Sequence, residues 1–395
     1  MHKYSYLPKG WVAVVKRELK LMTSRSTYSL VLVILPVIAI GIMTLFFSKG
    51  VPSDLPIGLV DLDNSGMSRK LARMIDAAPA PKITTDFSSI IEATSAMNRV
   101  DVYGIVVIPP NFEMDIYAGK QPEVSFFYNN AYMVVGGMLN KDVSTVISTF
   151  ITGVEYNLHL KKGASDQKAM ALAMPIMPDT RVLFNPYTNY FYYLTIAFLP
   201  IILLMFILSG TVYAIGSEFK YHRAGAWLSA SQGSVFRAIT AKLFPYVLVF
   251  ILLVTVINAI LFGVFNTPLN GSVFLLFYNS ILFVMSYVSM AIVIIAIFPS
   301  LRMALSVAAI YAALAFTMSG LTFPQSAMYE PIQWVTEFFP FTHYLKVFIQ
   351  QSLQGAPLKT SVSSFIYLHL FLMVPFAFLP RLKKICTTPS LWGKN

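Results

Sequence analysis

Six long stretches of the chain are apolar and uncharged, and they constrain the fold more than any other feature. They contain no Asp, Glu, Lys or Arg, and each approaches or exceeds the length needed to cross a hydrocarbon layer about 30 Å thick. The stretches are 28–47, 190–215, 244–265, 272–298, 303–320 and 361–380. Hydrophobic residues make up 56% of the sequence and charged residues 12%, too little polar surface for a water-soluble protein. We therefore predict a membrane protein with six transmembrane helices.

Charge is distributed unevenly along the chain. Residues 48–189 hold 14 of the 18 acidic residues and 12 of the 29 basic ones, whereas the remainder holds 17 basic and 4 acidic residues. That basic excess lies beside the apolar stretches, which is typical of cytoplasmic ends. The N-terminus, the loop 217–243, the turn 299–302 and the tail 381–395 are thus predicted to be cytoplasmic, and the positive charge does not indicate nucleic acid.

Residues 1–26 precede the first predicted span. Within them, 10–25 have helical spacing with an apolar and a basic face, which predicts an amphipathic helix in the cytoplasmic interface. A polar lead-in to the first span, 27–47, is the alternative. The apolar face carries Trp11, Val15, Leu19 and Met22, and the basic face carries Lys16, Arg17 and Lys20.

Residues 48–189 have the composition of a soluble α/β domain. Apolar runs predict strands at 56–61, 82–85, 103–108 and 122–128. Helical spacing predicts helices at 65–78 and 88–98, and one long helix or two shorter ones at 131–162. Asp61 and Asp63 follow the first strand, where such a pair more often forms a turn than a metal site. The single cysteine, Cys386, excludes a disulfide within the chain.

Three separate regions resemble ABC-2-type permeases, the membrane subunits of ABC exporters. The first is the loop 216–246, with Glu218, Arg223-Ala-Gly225, Leu228, Ser234 and Lys242-Leu-Phe-Pro245-Tyr246. The second comprises Val60 to Ala77, Gly104 to Phe112 and Phe184-Asn185-Pro186, similar to the external domain of a drug-exporter-like subgroup. The third is Ser319 to Pro324 with Pro340 to Leu345 and Gly355, before the last span.

The resemblance implies a type V (ABC-2 or ABCG-like) exporter architecture: six transmembrane helices and an extracytoplasmic α/β domain at 48–189, inserted between the first two. The region 190–380 would hold helices 2 to 6. It would include a cytoplasmic coupling loop at 216–243 and an external re-entrant segment at 321–360. A surface loop without a gating role is the alternative for 321–360.

The same resemblance assigns candidate roles to particular residues. In the coupling loop, Glu218 would order the start of a helix. Arg223 would pair with acids of an ATPase, and Gly225 would allow the ATPase to approach closely. For Lys242, anchoring to lipid headgroups is the alternative. The full ATPase-coupling set is Glu218, Arg223, Gly225 and Leu228. The candidate substrate path between two permease copies is Phe198, Met205, Tyr311 and Phe316. The candidate external gate is Phe323, Pro324, Pro340, Thr342 and Tyr344.

The expected function is the permease subunit of an ATP-driven exporter of amphiphilic, drug-like molecules. The sequence has no Gly-x-x-x-x-Gly-Lys-Ser/Thr loop, so ATP and Mg are expected on a partner ATPase, which would be present in two copies. No cofactor or metal is expected on this chain, and the chain is not expected to be an enzyme by itself. Other expected partners are membrane lipid and a second permease subunit, identical or different, with a periplasmic adaptor left open. The expected location is the bacterial cytoplasmic (inner) membrane, with both termini cytoplasmic.

Three alternatives to this function stay open. An ABC-2 exporter of lipid or polysaccharide would share the same motifs. A membrane sensor would need a larger internal output module than 217–243 offers. An ion-coupled carrier would need a titratable group within the spans, and His369 is the only such side chain there.

Overall fold

The computed structural model describes residues 10–24, 26–48, 50–177, 179, 181–185 and 189–392. The chain divides into two compact units. One unit comprises residues 51–182, and the other is formed by the chain on either side of it. We call them the inserted unit and the helical unit. The motif residue Pro186 and both chain ends, 1–9 and 393–395, lie outside the described residues.

The helical unit begins with an amphipathic helix and an interrupted apolar one. They are α1 (Trp11–Ser24), α2 (Ser26–Ser29) and α3 (Leu35–Phe46), with a π-helical turn at Leu30–Ile34. Pro36 lies two residues after the end of this turn. Since proline supplies no backbone N–H, its position accounts for the interruption of the regular α-helical pattern in the widened turn.

The inserted unit alternates strands and helices. It contains β1 (Leu55–Asp61), α4 (Gly66–Asp76), β2 (Pro81–Asp86), α5 (Ile90–Asn98), β3 (Gly104–Ile108), α6 (Phe112–Tyr117), β4 (Ser125–Tyr128), α7 (Met133–Lys161) and α8 (Asp166–Ala173). The sheet order is β2-β1-β3-β4, with β1 parallel to β2 and β3, and β4 antiparallel to β3. Every predicted strand and helix of this region is present, and α6 and α8 were not predicted.

Helices cover both faces of the sheet. Ile57 and Val106 pack with Leu71 and Ile75 of α4 and with Leu139 of α7 on one side. A smaller cluster that includes Val60, Ile105 and Ala93 forms on the α5 side. The buried faces explain why β1 and β3 read as continuous apolar runs.

The turn after β1 is built by the aspartates that the sequence singles out. Asp61 Oδ1 accepts hydrogen bonds from the backbone N–H groups of Asp63 and Asn64, at 3.0 and 2.9 Å. Its Oδ2 accepts a third from Ser68 Oγ at 2.7 Å, and Ser68 is also part of the capping box of α4. Asp61 thus stabilises a turn and the start of α4.

The helical unit continues with six long or medium helices and two short ones. They are α9 (Tyr190–Lys220), α10 (Ala224–Ala230), α11 (Val235–Ala259), α12 (Val273–Ile297), α13 (Leu301–Thr317), α14 (Glu330–Thr336), α15 (Pro340–Ile349) and α16 (Leu358–Thr387). α9 packs along α13, α12 and α11, and α12 packs along α16. A single large cluster of buried apolar side chains joins most of them.

Among the described residues, four helices are long and apolar enough to cross a membrane: Phe191–Lys220, Val235–Val264, Val273–Ile297 and Leu358–Thr387. The apolar helices Leu30–Phe46 and Leu301–Thr317 are shorter. The second and third predicted spans are longer in the structure than in the sequence analysis, because α9 continues through Glu218 and α11 begins before Lys242. The adjoining ends of the two helices, beyond the predicted spans, therefore carry charged side chains.

Candidate functional site

A buried cluster of charged side chains joins α1, α9 and α11. Lys242 of α11 lies between two carboxylates, with its Nζ 2.8 Å from Glu18 Oε1 and 2.9 Å from Glu218 Oε1. All three side chains are fully buried. Arg17 Nη2 donates to both oxygens of Glu218, at 2.9 and 3.0 Å. We call Arg17, Glu18, Glu218 and Lys242 the ion cluster.

Hydroxyl and aromatic groups surround the ion cluster. Tyr246 donates a 3.4 Å hydrogen bond to Glu18 Oε2, and Tyr28 pairs with Ser217 at 3.4 Å. The Lys242 ammonium lies 5.7 Å from the centre of the Trp227 ring, near enough for a cation–π contact. Isolated charges are costly to bury, so each charged side chain of the cluster is stabilised by its ion pairs and hydrogen bonds. These contacts hold the four side chains in one fixed arrangement.

The structure corrects three expectations about these residues. Glu218 lies in the last turn of α9 rather than at the start of a helix. Lys242 is fully buried between carboxylates, so it is not a lipid-headgroup anchor. Arg17, expected on the outer basic face of α1, turns inward to Glu218.

Glu18 is a site residue that the sequence analysis missed. It is fully buried on α1 together with Val14 and Val15. A signal for it existed, because Glu18 follows Trp11 by seven residues and so shares its helical face. An acid in the middle of an apolar stripe indicates a buried cationic partner.

The short helix α10 is held against this cluster. Trp227 is fully buried, and its Nε1 donates to the carbonyl oxygen of Ala238 on α11 at 3.3 Å. Gly10, just before α1, donates its backbone N–H to the carbonyl oxygen of Ala230 at 2.9 Å. α10 is therefore fixed to the residue before α1 through its last residue, Ala230, and to α11 through the Trp227 ring.

Two of the predicted coupling residues face inward instead of outward. Leu228 is buried in the apolar core, with 7% of its surface exposed. Arg223 has its Nε 3.8 Å from Glu218 Oε2, and its side chain is partly exposed. The contact of these residues with an ATPase stays a prediction.

Gly225 lies on the outer side of α10. It is exposed together with Ala226 and Ser229, which continue the same helical face. A Cβ placed at Gly225 would meet nothing within 4 Å. The outer face of α10 is thus small, open and free of bulky side chains, as the close approach of another protein requires.

The residues predicted for the substrate path lie on α9 and α13. The rings of Phe198 and Phe316 are 5.1 Å apart and fill the contact between these two helices. Tyr311 donates to the carbonyl oxygen of Phe338 at 2.9 Å and stacks on Phe339. Met205 is the exposed member, with 46% of its surface accessible. Within one copy of the chain, three of the four take part in internal packing.

The predicted gate residues separate into two groups. Pro340, Thr342 and Tyr344 belong to α15 and are buried, with the Tyr344 ring 4.3 Å from Phe283 on α12. Phe323 and Pro324 lie in the exposed turn after α13. The segment 321–360 therefore holds one surface helix, α14, and one helix, α15, inserted among α9, α12, α13 and α16.

His369 on α16 is hydrogen-bonded at both ring nitrogens. Nε2 and the Tyr278 hydroxyl are 2.7 Å apart, and Nδ1 lies 2.7 Å from the carbonyl oxygen of Phe365. A neutral imidazole that donates from Nδ1 and accepts at Nε2 fits both contacts. Within the described residues, no group of three or more His, Cys, Asp or Glu side chains is placed to hold a metal ion.

Fold and site together define a class: a multi-pass membrane protein with a small helix braced by a buried ion cluster at one end of its helical unit. The family model of the ABC-2 family transporter proteins matches residues 25–379. The chain belongs to this family, as the sequence resemblance predicts. No curated protein is similar enough to the chain to serve as a relative.

Proposed function

We propose that this chain is the permease subunit of an ATP-driven exporter that moves amphiphilic small molecules out across the bacterial cytoplasmic membrane. Family membership supports a role in membrane transport, and permeases of this family generally pair with an ABC ATPase. The observation that carries the proposal is α10, a short helix with an open outer face and a buried ionic support.

In the proposed topology, α10 and both termini lie in the cytoplasm and residues 51–182 lie outside. The two shorter apolar helices then count as spans beside the four long ones, which gives six. The basic residues beside the apolar helices favour this orientation.

In the proposed mechanism, ATP closes two ATPase subunits, and the ATPase pushes on the outer face of α10. Trp227 and the ion cluster pass this displacement to α1, α9 and α11 together. A cavity between two permease copies then changes from inward or lateral access to outward access. Met205, exposed on α9, is the predicted path residue best placed to line such a cavity.

The ion-coupled carrier is less well supported. Coupling through His369 would require charged or titratable partners along the spans, whereas its ring nitrogens contact the Tyr278 hydroxyl and the Phe365 carbonyl. The charged groups of the ion cluster pair with one another at the ends of α9 and α11. This pairing favours a mechanical role over ion transport.

Co-purification of an ATPase with the mildly extracted chain tests the proposal. The matched variants are Gly225→Trp, which adds bulk to the outer face of α10, and Gly263→Trp, at an equally open glycine near the far end of α11. We expect wild type and Gly263→Trp to retain an ABC ATPase and Gly225→Trp to lose it.

The other outcomes are equally informative. If wild type retains no ATPase, identified by mass spectrometry, the proposed function fails. If Gly225→Trp retains as much ATPase as wild type, the face of α10 is not the docking surface. ATP-dependent uptake of a fluorescent amphiphile into inside-out vesicles then tests the substrate class. If the amphiphile is not taken up, a glycan or a lipid becomes the proposed substrate.

A further inference from the structure

An apolar groove with a volume of about 400 Å³ opens between α11, α12 and α16. Its walls are aliphatic, aromatic and methionine side chains, with Thr240 and Ser289 as the two hydroxyl-bearing exceptions. None of the predicted coupling, path or gate residues lines it. We call it the α11–α16 groove.

Hydrogen bonds hold α16 against α12 along the groove. Ser286 Oγ donates to the carbonyl oxygen of Leu368 at 3.2 Å, and Arg381 Nε donates to that of Ala296 at 2.7 Å. These contacts fix α16 to α12 on either side of Pro375, which lies inside the helix and in the groove wall.

The position of the groove identifies the chemistry of its occupant. All three helices that form it are long and apolar enough to cross a membrane. Apolar walls at that depth are covered by hydrocarbon rather than by water. The volume lies within the range of about 300–1,000 Å³ that is usual for small-molecule sites.

One end of the groove is positively charged. Phe236 and Phe376 stack there with ring centroids 5.9 Å apart. Arg237 follows Phe236 in the first turn of α11, and its guanidinium donates to the Gln232 side chain. The exposed Lys383 follows the wall residue Leu379 by one helical turn.

In the part of the helical unit that the structure describes, no carboxylate side chain pairs with Arg237 or Lys383. Glu18 pairs with Lys242 in the ion cluster, and from residue 190 onward the chain has three acids. Glu218 is buried in the ion cluster, and Glu330 and Glu337 lie beyond the far end of α13. A negatively charged headgroup would therefore complement this end of the groove.

We propose that the α11–α16 groove binds an acyl chain of an anionic phospholipid, with the headgroup beside Arg237 and Lys383. Its occupancy bears on the ion cluster, because one turn of α11 presents Leu243 to the groove and Lys242 to the two carboxylates. A bound chain supports the outer side of that turn. The inference does not depend on the transported substrate or on the ATPase.

Native mass spectrometry of the full chain, extracted from nanodiscs with equal amounts of phosphatidylglycerol and phosphatidylcholine of the same chain length, tests the proposal. Thr240→Trp fills the groove, and Leu252→Trp is its control at a position of α11 that is 62% exposed outside the groove. Lys383→Glu reverses the charge at the positively charged end of the groove. Its control, Lys359→Glu, makes the same charge reversal at the other end of α16.

We expect wild type and both controls to retain one phosphatidylglycerol per chain. Thr240→Trp should lose this lipid, and Lys383→Glu should retain it about fivefold less or weaker still, which corresponds to about 1 kcal/mol per cation near a membrane surface. Glycerol phosphate without acyl chains should not compete.

Three results would overturn the proposal. The first is equal retention of both lipids by wild type. The second is retention of phosphatidylglycerol that Thr240→Trp leaves unchanged, which would place the lipid elsewhere. The third is a change of oligomeric state in Thr240→Trp by size-exclusion chromatography with light scattering, which would assign the groove to a second copy of the chain.

Discussion

At the scale of single residues, Lys242 is the central cation of the ion cluster. It contacts both buried carboxylates of the ion cluster, whereas Arg17 and Arg223 approach Glu218 alone. The cost of burying Glu18 and Glu218 is therefore offset mainly by one ammonium group. Removing a partner from such a buried pair typically destabilises a protein by about 3–5 kcal/mol.

Lys242→Met should lower the unfolding temperature strongly, because it leaves two carboxylates close together without the cation between them. The single cysteine provides the measurement: Cys386 is 2% exposed, so a thiol-reactive fluorophore reports unfolding of the helical unit. Lys359→Met, at an exposed position of α16, should change little.

A compensating variant separates charge from shape. Combining Lys242→Met with Glu18→Gln and Glu218→Gln removes the uncompensated charges and should recover part of the lost stability. An unfolding temperature for Lys242→Met equal to that of wild type would show that the buried carboxylates do not need this cation.

At the scale of elements, the sequence predicts helices and strands well where burial alone decides them. β1 and β3 are apolar because both faces are covered, and α7 is long enough for its period to be recognised. α6 has six residues and α8 has eight, too few for a period to be distinguished.

The ends of α9 and α11 show why part of the site could not be predicted. Charge normally ends an apolar span, so the predicted helices stop before Glu218 and begin after Lys242. The structure extends both helices because the two side chains neutralise each other at 2.9 Å. A partner distant in sequence, including Glu18 on α1, is what the local pattern does not reveal.

Gly355 ends a π-helical turn at Gln350–Gln354, shortly before α16 begins. Gly355 has a φ of +62°, and a Cβ there would lie 2.9 Å from the carbonyl oxygen of Asn270. This close approach lets the backbone N–H groups of Asn270 and Gly271 donate to the carbonyl oxygens of Ser352 and Gln351, at 2.9 and 2.8 Å. Gly355 thus joins the segment after α15 to the start of α12.

Gly355→Ala should separate these two segments. The positive φ costs about 1–2 kcal/mol for a residue with a side chain, and the steric overlap adds to that. We expect faster hydrogen exchange at residues 268–274, measured by mass spectrometry. Gly233→Ala is the matched control, because Gly233 has a φ of +73° but open space around its Cβ. Equal exchange at 268–274 in both variants would exclude the steric explanation.

At the scale of the whole molecule, the chain leaves and re-enters the helical unit at neighbouring points. The backbone N–H of Phe191 donates to the carbonyl oxygen of Gly50 at 3.3 Å, and a Cβ at Gly50 would lie 3.2 Å from the Asn189 side chain. Asn185 in turn exchanges hydrogen bonds with Asn189 at 2.8 and 3.0 Å. The ends of the helical unit's two segments are thus held together without help from residues 51–182.

Each unit also has its own buried core, which is the usual mark of a part that folds by itself. We therefore expect a chain in which a short Gly-Ser linker joins Gly50 to Leu183 to insert and fold. Its Cys386 labelling should show the same unfolding temperature as wild type, and its Gly225-dependent retention of an ATPase should persist. Loss of export with both of these intact would assign the inserted unit to the passage of substrate. A lowered unfolding temperature would instead make the inserted unit a structural support of the helices, because the helical core alone would then be insufficient.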